Sequence, residues 1–226
     1  MPVTDENVRS DLYEPADFNV KYQVIASIVE PGAKVLDVGC ASGFLAEYLV
    51  RNMNCHVIGI ELDPISAERA RSRCQRVVVG DVTDPAIIEQ ISGHYDYVIF
   101  ADVIEHLPDP EGVLIRAREW IGENGLVIIS LPNIAYYRIR LHLLRGKFEY
   151  RDIGIMDRTH LRFYTKASAK QFIESCGLRV LRTEPIFVKP KDAALGPLFP
   201  TLFAYIFVFV CEKNTGETPA EMNNLP

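Results

Sequence analysis

The stretch Lys34-Val35-Leu36-Asp37-Val38-Gly39-Cys40-Ala41-Ser42-Gly43 narrows the possible folds most. Val35, Leu36 and Val38 form an apolar run too short for a helix and suited to a strand covered on both faces. Gly39 and Gly43 bracket a turn in which side chains would obstruct the chain or a ligand. A helical pattern starts at Phe44. Asp37 then stands at the carboxyl end of a strand, where open α/β sheets bind ligands. No Gly-Lys-Ser/Thr follows, so the turn is not a phosphate loop. Its G-x-x-x-G spacing is not the dinucleotide G-x-G-x-x-G either.

The same rhythm continues along the chain. Strands are expected at 34–38, 56–61, 76–79, 95–101 and 125–131, and helices at 20–29, 44–51, 63–73, 84–91 and 111–121. Asp63-Pro64 and Thr83-Asp84-Pro85 are helix starts, with Asp as cap and Pro at the first helical position. Alternation at this spacing means βαβ units and a parallel sheet. Thr165 caps a further helix to Cys176, ended by Gly177. Residues 178–188 and 203–212 read as two strands joined by a Pro/Gly-rich loop, antiparallel at the sheet edge. The expectation is one α/β domain over 1–226. Residues 1–19 would cover it, 133–163 would be an acceptor-binding or lid insertion, and 214–226 a flexible tail.

Four strand ends line up. After the Gly39/Gly43 turn comes Glu61, about 20 residues on, placed to accept hydrogen bonds from ribose hydroxyls. Asp81 follows the third strand and Ala101-Asp102 the fourth. With Asp37 these acids make an electronegative rim, which disfavours a pyrophosphate and favours a cationic, ribose-bearing ligand. Asp37-Val38-Gly39-Cys40-Ala41-Ser42-Gly43, Gly59-Ile60-Glu61, Gly80-Asp81-Val82, and Tyr95-Asp96-Tyr97-Val98 with Glu105-His106-Leu107 resemble the ordered motifs of class I S-adenosylmethionine (SAM) methyltransferases. The nearest likeness is to ubiquinone-type O-methyltransferases and polysaccharide-pathway methyltransferases, over roughly residues 20 to 213. The resemblance implies a Rossmann-like seven-stranded, mostly parallel sheet with helices on both faces and an antiparallel C-terminal strand pair. It also implies a SAM site, with S-adenosylhomocysteine as product, contacted by Asp37, Gly39, Cys40, Ala41, Gly43, Phe44, Glu61, Leu62, Asp81, Val82, Ala101 and Asp102.

Asp102, Glu105 and His106 would share one face if a helical turn began at Asp102. With the distant His160 they form a candidate Mg²⁺ or Mn²⁺ site. The resemblance extends to enzymes in which a similar D/E-x-x-E-H pattern binds metal, and also to enzymes in which Glu-His-Leu carries none. For transfer to oxygen a base must take a proton, and His suits neutral pH. His106 is the first candidate and His160 the second. His56 and His94 read as surface loop residues, and His142 as a helix-face residue.

From Tyr136 to Phe163 there are seven Arg/Lys against three Asp/Glu, in a chain of net charge −6. Arg158 and His160 are expected to reach an acceptor there, an anionic or glycosidic small molecule clamped by arginines. Leu141, Leu143, Leu144 and Phe148 leave peripheral membrane contact open. The acidic balance argues against nucleic acid as a partner. Five cysteines without a C-x-x-C pair fit a reduced cytoplasmic protein. Met1 to Ser10 is polar and is read as no signal peptide. The apolar run 198–211 is too short to span a membrane and reads as a buried strand. The function expected is methyl transfer from SAM to an acceptor oxygen. The alternatives are a metal-assisted 2′-O-methyltransferase of RNA ends and a non-catalytic SAM-binding regulator. Oligomeric state is not legible.

Overall fold

The computed structural model of the chain describes residues 20–91 and 93–215, the side chain at 191 excepted. The expected cover at 1–19 lies outside these residues, as does the expected tail beyond residue 215. The elements run α1 (Val20–Ile28), β1 (Lys34–Val38), α2 (Phe44–Met53), β2 (His56–Glu61), α3 (Pro64–Ala70), β3 (Arg76–Val79), α4 (Pro85–Ile88) and β4 (Tyr95–Ala101). Then follow α5 (Pro110–Trp120), β5 (Ile121–Pro132), α6 (Tyr137–Leu144), α7 (Lys166–Ser175), β6 (Leu178–Ile186), α8 (Pro190–Leu195), α9 (Pro200–Phe203) and β7 (Ile206–Lys213).

Among the described residues, seven strands form one sheet in the order β3-β2-β1-β4-β5-β7-β6. The pairs from β3 to β5 are parallel, and β7 runs antiparallel to both β5 and β6. Alternate residues feed two separate cores, because successive side chains leave a strand on opposite faces. Leu36, Val98 and Phe100 join one core with Trp120 and Phe209. Val35, Tyr97 and Ile99 join the other with Ile25 and Leu49. The strand order turns back between β1 and β4. Their carboxyl ends, Gly39 and Ala101-Asp102, therefore flank the crevice at which open α/β sheets bind ligands.

The caps form as their sequences require. Asp63 accepts from Ser66 N at 2.9 Å, and Asp84 from Ala86 N at 2.9 Å. Three expectations need correction. The helix expected at 84–91 is a single turn, Pro85–Ile88. Ladder pairing of β5 begins at Ile121, directly after Trp120, with a register shift opposite Tyr95/Tyr97. The loop between the last strands carries two short helices, and the run 198–211 is helical at Pro200–Phe203 before it becomes strand. Pro190 and Pro200 explain both, since proline fits the first helical turn and cannot donate to a ladder.

Candidate active site

The turn after β1 is constrained twice over. Gly39 has φ 71°, and a Cβ there would lie 2.5 Å from Val103 Cγ2. Ala41 also has positive φ, 47°, unusual outside glycine. Glu61 holds it: Oε2 accepts from Ala41 N at 2.8 Å and Oε1 from Asp63 N at 2.9 Å. The carboxylate at the end of β2 thus ties the turn to its neighbour strand. Arg73 braces the far side, donating to Ser42 O at 2.7 Å and lying 4.2 Å over the Phe44 ring. Gly43, with φ 81°, opens α2 against Ala70 and Arg73. Asp37 is 2% exposed; burial and then the nearby Glu61 charge push its carboxyl up to about 7. Cys40 and Val82 are buried, Ala101 is half-buried and Leu62 lies open to solvent. Asp81 is exposed and accepts from Thr83 N and Oγ1.

Asp102 departs from the helical-face expectation. Its φ is 60°, and the helical turn that follows is a 3-10 turn over Ile104–His106. Its carboxylate still borders the same small cavity as Glu105 and His106, but other partners engage it. Lys21 Nζ in α1 approaches it at 2.6 Å, and the Ser130 hydroxyl in β5 donates to its other oxygen. Burial opposes the Lys21 charge, but Asp102 beside it raises the ammonium to about 12. Asp102 is held below the usual carboxylate range by Lys21 and Ser130 against the cost of burial. Sequence reasoning did not single out Lys21. One signal was available: a cation in the first turn of a helix opposes the macrodipole and so calls for a partner elsewhere.

Glu105, His106 and His160 come together, with one ligand atom from each within 4.8 Å of the others. The insertion is stapled to the end of β4 by main-chain bonds. Leu161 N donates to Glu105 O at 2.8 Å, and the Arg162 guanidinium donates to the carbonyls of Leu107 and Pro108. His106 Nδ1 lies 3.3 Å from Thr159 O and 3.1 Å from Thr159 Oγ1. That hydroxyl spends its own proton on Asp157 Oδ1 at 2.6 Å. His160 Nδ1 lies 3.1 Å from Ile155 O. Carbonyls only accept, so Nδ1 carries the proton in both rings and Nε2 keeps its lone pair. His160 Nε2 stands 4.0 Å from Glu105 Oε1. Burial and then the His160 charge hold the His106 imidazole below its ordinary pKa. Glu105 is 1% exposed with no hydrogen-bond partner for either carboxylate oxygen. Burial and the Asp102 charge raise it well above the carboxylate range.

Two cavities meet here. A small one of about 150 Å³ is lined by Asp102, Glu105, His106, Asp157 and His160. A larger one of about 600 Å³ lies under α6, among Tyr136, Arg138, Arg145, Arg151 and Lys189. Ile153 and Tyr205 line both. Arg158 lines neither: it pairs with Asp152 at 2.5 Å on the exposed surface. The structure thus does not bring it to either cavity; an acid six residues upstream engages its guanidinium. No helix among the described residues is long and apolar enough to cross a membrane.

A family model described as a methyltransferase domain matches residues 14–183. The ubiquinone biosynthesis O-methyltransferase of Aeromonas salmonicida is 28% identical over 153 residues, 66% of this chain and 64% of that protein. The match thus spans less than two thirds of that relative's length. Solved structures share the fold. A SAM-dependent methyltransferase from Archaeoglobus fulgidus aligns with a TM-score of 0.67 at 17% identity, over 93% of this chain and 100% of that one. Magnesium protoporphyrin IX methyltransferase from Synechocystis, solved with bound S-adenosylhomocysteine, aligns at 0.60 and 16% identity, over 94% of this chain and 89% of that one.

Proposed function

The chain belongs to the methyltransferase-domain family, as a class I SAM-dependent member, and from that premise we propose that it transfers a methyl group from SAM to the oxygen of a small anionic or sugar-containing acceptor. One observation carries the acceptor half of this reading: two histidines beside the β1/β4 crevice, each with Nδ1 on a carbonyl and with an Nε2 that makes no hydrogen bond among the described residues. SAM would be held across that crevice: the Gly39–Gly43 turn would back its methionine part, Glu61 would receive the ribose hydroxyls, and Asp81 and Val82 would flank adenine. Asp37 offsets its positive charge, while the Lys21–Asp102 pair is already neutralised at the crevice's edge.

The acceptor hydroxyl enters the small cavity. Its oxygen attacks the sulfonium methyl carbon as the carbon–sulfur bond breaks. The hydroxyl proton passes to Nε2 of His106, with His160 second in line, and S-adenosylhomocysteine leaves as a neutral thioether. Positioning supplies much of the rate, and His106 is neutral at pH 7 because burial lowers its pKa.

As an alternative to their role as base, Glu105, His106 and His160 fit a divalent cation, which would take the two Nε2 lone pairs in place of the proton. A buried carboxylate without a partner is costly unless it is paired or ligates a metal. Each histidine's Nδ1–H sits on a carbonyl, as ligating histidines require. Two imidazoles favour Mn²⁺ over Mg²⁺. Such a cation would polarise the acceptor hydroxyl and ease its deprotonation. Asp102 is outside this set, since Lys21 and Ser130 occupy it. Five buried thiols fit a reducing compartment such as the cytoplasm.

An acceptor screen that reads out S-adenosylhomocysteine, run with and without EDTA and then with added Mn²⁺, tests both parts. Turnover indifferent to chelation removes the cation. A protein that binds SAM yet turns over no hydroxyl acceptor, anionic or glycosidic, contradicts the transfer reading.

A further inference from the structure

The larger cavity carries a charge pattern that the methyl-transfer chemistry leaves unused. Arg138 from α6, Arg145 at its C-terminal cap, Arg151 from the loop after it and Lys189 before α8 line its wall, and no carboxylate lines it. Other arginines of the same segment are engaged. Arg140 turns back to Ala135 O at 2.6 Å, Arg158 pairs with Asp152 and Arg162 staples the β4 end. The four cations lining the cavity have no ion pair and no side-chain hydrogen bond among the described residues. All four are exposed, and with no carboxylate among the lining residues they give the hollow a local positive charge in an acidic chain, which favours an anion from outside.

We propose that this cavity binds the phosphoryl group of the acceptor, a phosphate or diphosphate ester. Its hydroxyl-bearing part passes Ile153 and Tyr205 into the small cavity. The inference rests on the methyl-transfer reading and names its substrate class.

A single carboxylate carries one charge and two oxygens, too few for four cations. A phosphate monoester brings roughly −1.5 to −2 charge and three strong acceptor oxygens, and a diphosphate brings more. Guanidinium forks match that geometry in pairs. The tyrosines Tyr136, Tyr137 and Tyr205 add rings and hydroxyls that suit the body of such an ester. Tyr136 is itself fixed from behind, donating to the buried Asp192 at 2.5 Å. The hollow's volume, about 600 Å³, is within the usual range for a small-molecule site. The exposed Leu141 in its lining fits a lipid-linked ester, while the hollow alone fits a soluble one.

The test is calorimetry on the full chain with inorganic pyrophosphate, against malonate as a dicarboxylate control. Uridine diphosphate and phosphatidylcholine vesicles containing phosphatidic acid represent the soluble and lipid sources. Pyrophosphate should bind, more weakly as salt rises, and Arg145→Gln with Arg151→Gln should weaken it about tenfold or more. SAM affinity should stay unchanged in that variant, which also shows that it is folded. Tighter binding of the diphosphate or of the vesicles identifies the source, and either result supports the proposal. Malonate binding as tightly as pyrophosphate, or pyrophosphate binding indifferent to the double replacement, overturns it. Absence of SAM binding would instead strike the methyl-transfer reading and leave the anion site standing.

Discussion

His106 and His160 meet edge to face, ring centroids 4.7 Å apart and planes at 74°, and each turns its Nδ1 onto a main-chain carbonyl. The geometry fixes one tautomer in both rings and leaves two basic nitrogens beside Glu105. His106→Ala is expected to lower kcat by about two orders of magnitude, with SAM affinity unchanged. His160→Ala should do the same. Titrating SAM into each variant beside a turnover assay separates the effects. Unchanged turnover in both variants would remove the histidines from the chemistry.

Asp37 sets a pH dependence. Its carboxyl stands at about 7 in the free protein because burial, and then Glu61, oppose its charge. The raised value means that the protonated form favours the fold, so this contribution is lost as pH rises from about 4 through about 7. A cation placed beside Asp37 favours the carboxylate and expels the proton. SAM should therefore bind more tightly as pH rises to about 7 and then level off. Asp37→Asn should flatten the profile. A wild-type affinity constant from about pH 5.5 to 8 would contradict this.

Glu105 trades stability for its position. Its pKa is raised well above the carboxylate range, so its penalty appears as pH climbs past the usual carboxylate value. Glu105→Gln removes the charge and keeps the shape. Melting temperature without added metal should be higher for the variant at pH 8 than for the parent, with turnover lost. Equal melting curves across pH would show that Glu105 is not held under strain.

Lys21 and Asp102 form a largely buried pair linking α1 to the end of β4. Lys21→Met leaves the carboxylate without its cation and should cost about 3 kcal/mol. Lys21→Met with Asp102→Asn should recover part of that loss. Denaturant unfolding measures both; a second substitution that only adds to the damage would mean that the pair is not coupled.

The parts legible in the sequence are those built from neighbours in the chain. The glycine turn, the Asp63-Pro64 and Asp84-Pro85 caps and the strand-end acids are local patterns, and the sheet follows from their alternation. Long-range pairings were less legible. Lys21 finds Asp102 across 81 residues. The left-handed Asp102 breaks the expected helical spacing, and its residue type gives only a weak signal, since Asp tolerates positive φ without requiring it. Arg158 has the right charge for an anion site, but Asp152 is nearer. Three of the cations that do line the hollow, Arg138, Arg145 and Arg151, belong to the same basic segment, and only the fold sorts paired from unpaired.

Calorimetry of SAM with the full chain and with Glu61→Ala tests the central claim most directly. Glu61 accepts from Ala41 N and Asp63 N and faces the crevice at the end of β2. The expected result is one SAM per chain for the parent and an affinity at least about tenfold weaker for the variant, since hydrogen bonds to a charged group are at stake. A parent chain that binds no SAM would contradict the account at its root.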